Sequence, residues 1–312
     1  MARRKRGQPV HGWVILDKPL DLNSTKAVAI VRRLFDAQKA GHAGTLDPLA
    51  TGILPIALGE ATKTVPNVMN KSKIYQFTVK WGAETETDDL EGNITATSEK
   101  RPSRPDIENA LPAFIGWIEQ TPPAYSAIKI DGERAYDLAR AGEQPEMQPR
   151  DVIIHELVLN EEGSEDTATF TVRCGKGTYV RALARDLGRQ LGCLGHVVNL
   201  RRLATGPFTE KMSISLEKLK ELSHSAHAQA ALKPALHSVE TALDDIPALA
   251  VNEMQASRLR LGQSVLVTGA MFEAATEATT IKGPAYAMNG MTLVALGTVS
   301  QGSFKPNRVF NL

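Results

Sequence analysis

Gly41-His42-Ala43-Gly44-Thr45-Leu46-Asp47-Pro48-Leu49-Ala50-Thr51-Gly52, followed at once by Ile53-Leu54-Pro55-Ile56-Ala57-Leu58-Gly59, is the stretch from which the rest of the chain is read. Three glycines, a proline and two threonines in twelve residues prescribe a loop of fixed backbone geometry, and the apolar run after it has the length and flanks of a buried strand. Asp47 is the single acid of that loop. Pro48 disfavours the helical region for the residue before it and so holds Asp47 extended. A carboxylate presented by a stiff, glycine-bounded loop beside a core strand suits a nucleophile or a general base. The competing reading is an Asx-type turn in which Asp47 only caps neighbouring amides.

The chain has 312 residues, 42% of them hydrophobic, and a formal net charge of +1. That length accommodates one large domain and a small second one. No apolar run approaches the ~20 residues of a membrane-spanning helix. The start, Arg3-Arg4-Lys5-Arg6 followed by Gly7-Gln8-Pro9, lacks the apolar core of a signal peptide, so a cytoplasmic protein with a short basic arm and no membrane association is expected. Two cysteines, Cys174 and Cys193, cannot build a disulfide framework, and Cys193 with His196 has no second ligand pair, so reduced buried thiols and no metal site are expected. Between Thr171 and Phe208 stand Arg173, Lys176, Arg181, Arg185, Arg189, Arg201 and Arg202 against the one acid Asp186. Such a local basic surface on a near-neutral protein suits phosphate contact, the alternative being a solvated helix face.

Outward from the Asp47 loop, residues 13–16 read as a strand, and Asn23-Ser24-Thr25 offers N-cap candidates for a helix with Ala27, Val28, Val31, Leu34 and Phe35 on its apolar side. Residues 60–69 read as a short helix. Residues 73–81 alternate, with Tyr75, Phe77, Val79 and Trp81 on one face, as a half-buried strand requires, so Tyr75 points inward. The acidic segment 84–93 reads as an exposed hairpin connection without chemistry. Residues 105–117 have the spacing of one amphipathic helix through Ile107, Leu111, Phe114 and Ile115. Pro122-Pro123 fixes an extended entry to Tyr125-Ser126-Ala127-Ile128-Lys129, and 144–149 has the composition of a mobile loop.

Strands over 151–159 and 167–174 lead to Gly175-Lys176-Gly177-Thr178-Tyr179-Val180-Arg181, which is no Walker A loop because Phe170 stands where its first glycine belongs. Thr178 is a candidate N-cap for a helix with Leu183, Leu187 and Leu191 inward. Arg181, Arg185 and Arg189, four apart, form a ridge whose field would extend from the helix N-terminus toward a phosphate backbone. Residues 223–245 read as helix and connector, and Ile246-Pro247 marks a boundary. Short apolar runs at 265–267 and 291–299, broken by glycines, read as a small β-barrel carrying net charge +2, from five bases against Glu253, Glu273 and Glu277.

The wording G-H-A-G-T-L-D-P-L-A-T-G at 41–52 resembles the motif of the B-type tRNA pseudouridine synthases. The resemblance continues in Lys18-Pro19, in Lys73-Ile74-Tyr75, in the P-P-x-Y-S-A-x-K segment from Pro122, in R-C-x-K-G-T-Y-x-R from Arg173, with Gly175 where serine is more usual, and in L-R-R-x-x-x-G-P-F from Leu200. It implies an α+β fold with a mixed, largely antiparallel central sheet flanked by helices, residues 1–247, carrying a thumb-like excursion at about 121–149. A small PUA-like β-barrel over 248–312 would serve as an RNA-binding module.

It further implies an RNA isomerase that works without cofactor or metal on a tRNA T-arm stem-loop, turning the T-loop uridine conventionally numbered 55 into pseudouridine, with no obligate protein partner. Asp47 would be the catalytic aspartate, nucleophile or base at the ribose or the pyrimidine, Arg181 its salt-bridge partner that keeps it an anion despite burial, and Tyr75 the ring that stacks on the base and shuttles a proton. His42 would hold the RNA loop open or fill the vacated space, and Tyr179 and Leu200 would line the pocket. A tRNA-binding folding chaperone without modification activity is the second reading; a fixed carboxylate facing the RNA discriminates, since a binder has no use for it. A two-acid sugar hydrolase lacks a second acid in any comparable motif.

Overall fold

The computed structural model describes residues 7–312 except 131, 144, 226, 269–270 and 272–281. The basic arm Arg3 to Arg6, and Glu273 and Glu277 of the C-terminal segment, lie outside the described residues, as does Gln144 at the start of the loop expected to be mobile. The chain opens with β1 (Gly12–Lys18), helix α1 (Ser24–Leu34), β2 (Ala40–His42) and β3 (Ala50–Leu58), then the short helix α2 (Val65–Met69) and β4 (Lys73–Trp81). A hairpin of β5 (Ala83–Thr85) and β6 (Ile94–Thr97), helix α3 (Arg104–Ala110) and β7 (Gly116–Gln120) follow. Next come the small hairpin β8 (Lys129–Ile130) and β9 (Glu133–Arg134), with α4 (Ala135–Arg140). After β10 (Arg150–Ser164), β11 (Thr167–Cys174), α5 (Val180–Leu191) and β12 (Gly195–Thr205), the short strands β13 (Phe208–Thr209) and β14 (Ile214–Ser215) lead to α6 (Leu216–Ser223) and α7 (Ala228–Leu232). The C-terminal part holds β15 (Ala248–Ala250), α8 (Glu253–Arg260), β16 (Val265–Leu266), β17 (Gly283–Asn289), β18 (Thr292–Ser300) and β19 (Ser303–Val309).

The central sheet runs β14-β1-β3-β12-β4-β11-β10-β7, with β2 against β3 and β13 against β12. Only β1 with β14 and β3 with β12 are parallel, so the sheet is mixed and largely antiparallel, as expected. Strand β3 is covered on both faces, which is why it reads as an unbroken apolar run rather than an alternation. Its residues divide by parity. Leu54, Ile56 and Leu58 enter one core with Val31 of α1 and Leu183 and Leu187 of α5, while Ile53 and Ala57 enter a second core with Trp13 and Phe208. Leu293 and Phe310 of the C-terminal part join that second core, so the five-stranded curled sheet β15-β17-β18-β19-β16 is packed against the back of the large one. Its own core holds Leu249, Leu259, Val294 and Phe304.

Three expectations are corrected here. The helix expected over 105–117 ends at Ala110, after a capping box between Ser103 and Asp106. Pro112 lacks the N–H that would continue the ladder, a single 3-10 turn covers Leu111–Phe114, and Gly116 at φ 96° turns the chain into β7. Ile115 and Trp117 are exposed, not part of an apolar helix face. The second correction concerns 84–93, expected to be an exposed hairpin without a role: Glu84, Thr85, Thr87, Asp88 and Asp89 are all buried. The short helix expected over 60–69 is a 3-10 turn, Gly59–Lys63, followed by α2.

Candidate active site

Three adjacent strands set the site. In β12, Leu200 pairs with Ala50 and Phe77, and Arg202 pairs with Gly52 on one side and Tyr75 on the other. The Asp47 loop, which ends where β3 begins, is therefore brought beside Tyr75 through β12. Gly52 is required: at φ 96°, a Cβ there would collide with the carbonyl of Arg202. Helix α5 packs on β12 and delivers Arg181 from its first turn.

Asp47 meets Arg181 as the residue spacing could not show: Oδ2 lies 3.0 Å from Nη2, with the guanidinium buried and the carboxylate side chain 41% exposed. Arg181 is fixed from several sides, donating to the carbonyls of Thr87 (2.7 Å) and Tyr125 (3.0 Å), with Asp89 Oδ2 3.4 Å away. Burial works against the Arg181 charge, and the carboxylates of Asp47, Asp89 and Asp88 outweigh it, so its pKa rises. The Asp47 carboxyl group faces a cavity of about 610 Å³, with Tyr75, Tyr179, Leu200 and Arg202 among its walls. Tyr75 sits half-buried there, and burial raises its phenol pKa against the opposing charge of Arg202. Tyr179 is held by Gln120, whose amide accepts from Tyr179 N (2.8 Å) and donates to Tyr179 O (3.1 Å). His42 is not part of the cavity wall. It ends β2, half-buried, with Nδ1 unpartnered, and burial, then the charge of Arg202, depress its pKa.

The loop carrying Asp47 is held by Arg202, Lys18 and Ser24, of which Lys18, in the Lys18-Pro19 element of the resemblance, was expected to support it, and Arg202 and Ser24 were not. Arg202, 1% exposed, donates to the carbonyls of Ile53 (2.7 Å), Gly44 (3.0 Å) and Thr45 (3.3 Å). It was expected on the basic surface; the signal that places it inside is the two-residue alternation with Leu200 along β12. Lys18 is also fully buried, donating to Leu22 O (2.7 Å), Pro19 O (2.9 Å) and Pro48 O (3.2 Å), and burial brings its pKa down to about 8. Ser24 stands one residue inside α1, whose N-cap is Asn23, and its hydroxyl both donates to Leu46 O (2.9 Å) and accepts from Leu46 N (2.8 Å). Ser24→Ala strands both Leu46 groups in a buried setting and is expected to cost about 2 kcal/mol in urea unfolding, with a slower single-turnover rate and unchanged RNA affinity.

The arginine ridge of α5 is corrected. Arg185 pairs with Asp88 (2.9 Å) and Asp186 (2.9 Å), and Arg189 grips Glu84 through two hydrogen bonds of 2.7 and 2.8 Å. With Arg181 on Asp47 and Asp89, the whole ridge is neutralised by the acidic segment 84–89. The acids were missed; the one signal that points to them is that an i, i+4 row of arginines calls for carboxylate partners when it is buried. Arg201 is likewise paired, to Asp17 and Glu210. Removing Arg185 would leave Asp88 buried without its partner, although burial already raises that carboxyl to about 6. Arg185→Ala is expected to lower stability by about 3 kcal/mol and to leave the salt dependence of RNA affinity unaltered. A slope reduced by about one would return Arg185 to the phosphate contacts. Thr178 is corrected too: it does not cap α5, and its hydroxyl donates to Gly175 O at 3.2 Å.

Both cysteines are free and buried, and among the described residues no cluster of His, Cys, Asp or Glu could hold a metal ion. No helix among the described residues is long and apolar enough to cross a membrane.

Residues 32–180 match the model of the TruB family pseudouridylate synthase N-terminal domain, and 181–244 that of the tRNA pseudouridylate synthase B C-terminal domain. The chain is 57% identical over 312 residues to tRNA pseudouridine synthase B of Bradyrhizobium diazoefficiens, covering 100% of this chain and 88% of the relative. It is 54% identical over 313 residues to the protein of that name from Caulobacter vibrioides, covering 100% of both. Among solved structures, a chain of a Cbf5-Nop10-Gar1 complex superposes with a TM-score of 0.74 at 25% identity, covering 96% of this chain and 84% of that one.

Proposed function

The chain belongs to the TruB family of pseudouridylate synthases and isomerises uridine to pseudouridine in tRNA, and we propose that its target is the T-loop uridine conventionally numbered 55, presented by the T-arm stem-loop. The observation that carries the assignment of roles is the Asp47–Arg181 pair at 3.0 Å beside a cavity walled by Tyr75, Tyr179 and Leu200. The reaction exchanges one bond for another within a single nucleotide: the ribose C1′–N1 bond breaks, the ring turns, C1′–C5 forms, the C5 proton leaves and N1 gains one. A base paired or stacked in the loop cannot turn, so the nucleotide must be drawn out, at a cost of a few kcal/mol.

In this proposal Tyr75 stacks on the extruded ring, which offsets ~1–3 kcal/mol of that cost, and its protonated phenol can relay a proton. Leu200 and Tyr179 fill the remaining sides and exclude water. Asp47 is the nucleophile or base, and Arg181 keeps its charge and orientation fixed. His42, outside the cavity wall, is assigned to the RNA loop that the extruded nucleotide leaves. The C-terminal sheet of β15 to β19, docked on the back of the large one, acts as a second RNA contact. The test is to incubate the protein with unmodified tRNA transcript and map pseudouridine by nucleotide. Conversion confined to the T-loop uridine is expected, also on an isolated T-arm stem-loop. Binding without conversion would favour the chaperone reading, and conversion elsewhere would remove the T-loop assignment.

A further inference from the structure

The charges around the cavity do not balance. Besides Arg181, four cations line it: Lys73, Arg150, Lys176 and Arg202. None has a carboxylate partner among the described residues. Lys73, 7% exposed, donates to the carbonyls of Met69 (2.5 Å) and Lys71 (2.6 Å), and Arg202 is filled by its three carbonyls. Lys176 reaches only Asn70 Oδ1 (3.1 Å), and the Arg150 guanidinium lies 5.6 Å from the Tyr179 ring centroid. Of the acids on the wall, Asp47 is taken by Arg181 and Asp151 is exposed and joined to none of the four. Burial in the first place, with the charges of Arg202 and Lys176 added, brings Lys73 down to about 8.

The turn between β11 and α5 adds donors to this wall. The twelve-residue helix α5 has no side-chain cap at its N-terminus, so the amides of its first turn lack intrahelical acceptors, although Tyr179 N is taken by Gln120. Gly177, at φ 85°, has nothing within 4 Å of where a Cβ would be, leaving the turn open to a ligand. Ser126, 4% exposed, lines the same cavity, and its buried hydroxyl has no hydrogen-bond partner.

We infer that Lys176, Arg150 and the Gly175 to Thr178 turn, with Lys73 behind them, form a phosphate subsite that takes a backbone phosphodiester flanking the nucleotide in the cavity. This rests on the RNA-isomerase reading for the identity of the ligand. It replaces the α5 ridge, whose arginines are already paired, with a different set of cations. A phosphate held there would fix the sugar of the extruded nucleotide relative to Asp47, whereas the ring contacts alone leave the strand free to slide.

The experiment measures binding of wild type, Lys176→Ala and Arg150→Ala to T-arm stem-loop RNAs that each carry one neutral methylphosphonate linkage. One linkage beside the target uridine is expected to weaken wild-type binding about fivefold to tenfold. Lys176→Ala should bind the unmodified RNA about as weakly as that, lose its sensitivity to that linkage, and show a salt slope smaller by about 0.7. Substitutions that leave the slope at the wild-type value, or whose effect multiplies with every neutralised linkage alike, would overturn the subsite. Pseudouridine formation by wild type on the unmodified stem-loop is read separately. Conversion without coupling removes the subsite alone, while coupling without conversion supports the subsite and removes the isomerase reading.

Discussion

Asp47→Asn is expected to reduce single-turnover pseudouridine formation by about 10⁴-fold or more, with tRNA affinity within about threefold of wild type. The amide has the carboxylate's shape, can still accept from Arg181, and sits on a side chain that is 41% exposed, so the loop and the cavity survive the change. What is lost is the charge, and with it the nucleophile or base. The measurement is rate against fraction bound on unmodified transcript. A loss confined to affinity would mean that Asp47 positions RNA and does not act on it.

Arg181→Lys is the second large effect, expected to slow the same step by about 10²-fold, in the range seen when one fixed electrostatic donor is removed. The guanidinium serves Asp47, Asp89, Thr87 O and Tyr125 O together. A lysine keeps the charge but cannot present a rigid planar fork to four acceptors. The loss should appear in the rate of the bound complex, with thermal unfolding as the control that the fold persists. A rate equal to wild type would show that Asp47 needs no fixed partner. Together with Asp47→Asn, the variant separates the acid from the group that orients it.

Much of the fold was legible because the patterns were local. The unbroken run 53–58 announced a strand covered on both faces, and the alternation at 73–81 placed Tyr75 inward; both hold in β3 and β4. The expected helix over 105–117 failed because apolar spacing ran on through Pro112 and Gly116, where backbone chemistry and not periodicity decides. The Asp47–Arg181 contact joins a loop to a helix 134 positions later, a closeness only the sheet order β3-β12-β4 with α5 on β12 produces. Charge was the least legible property. Seven cations between 171 and 208 read as one basic face, yet Arg181, Arg185, Arg189 and Arg201 are paired with acids from other segments and Arg202 is buried. Composition counts charges but not their partners, and the unpaired set that remains includes Lys73 and Arg150, which lie outside that window.

The measurement that bears most directly on the account is a structure of the Asp47→Asn protein bound to an unmodified T-arm stem-loop. The account predicts the target uridine out of its stack, its ring against Tyr75, and the side chain at position 47 within about 3.5 Å of the ribose C1′ or of a ring carbon, the separation of groups poised to react. A uridine still stacked in the loop, or a cavity holding RNA with the position-47 side chain turned away from the nucleotide, would contradict it.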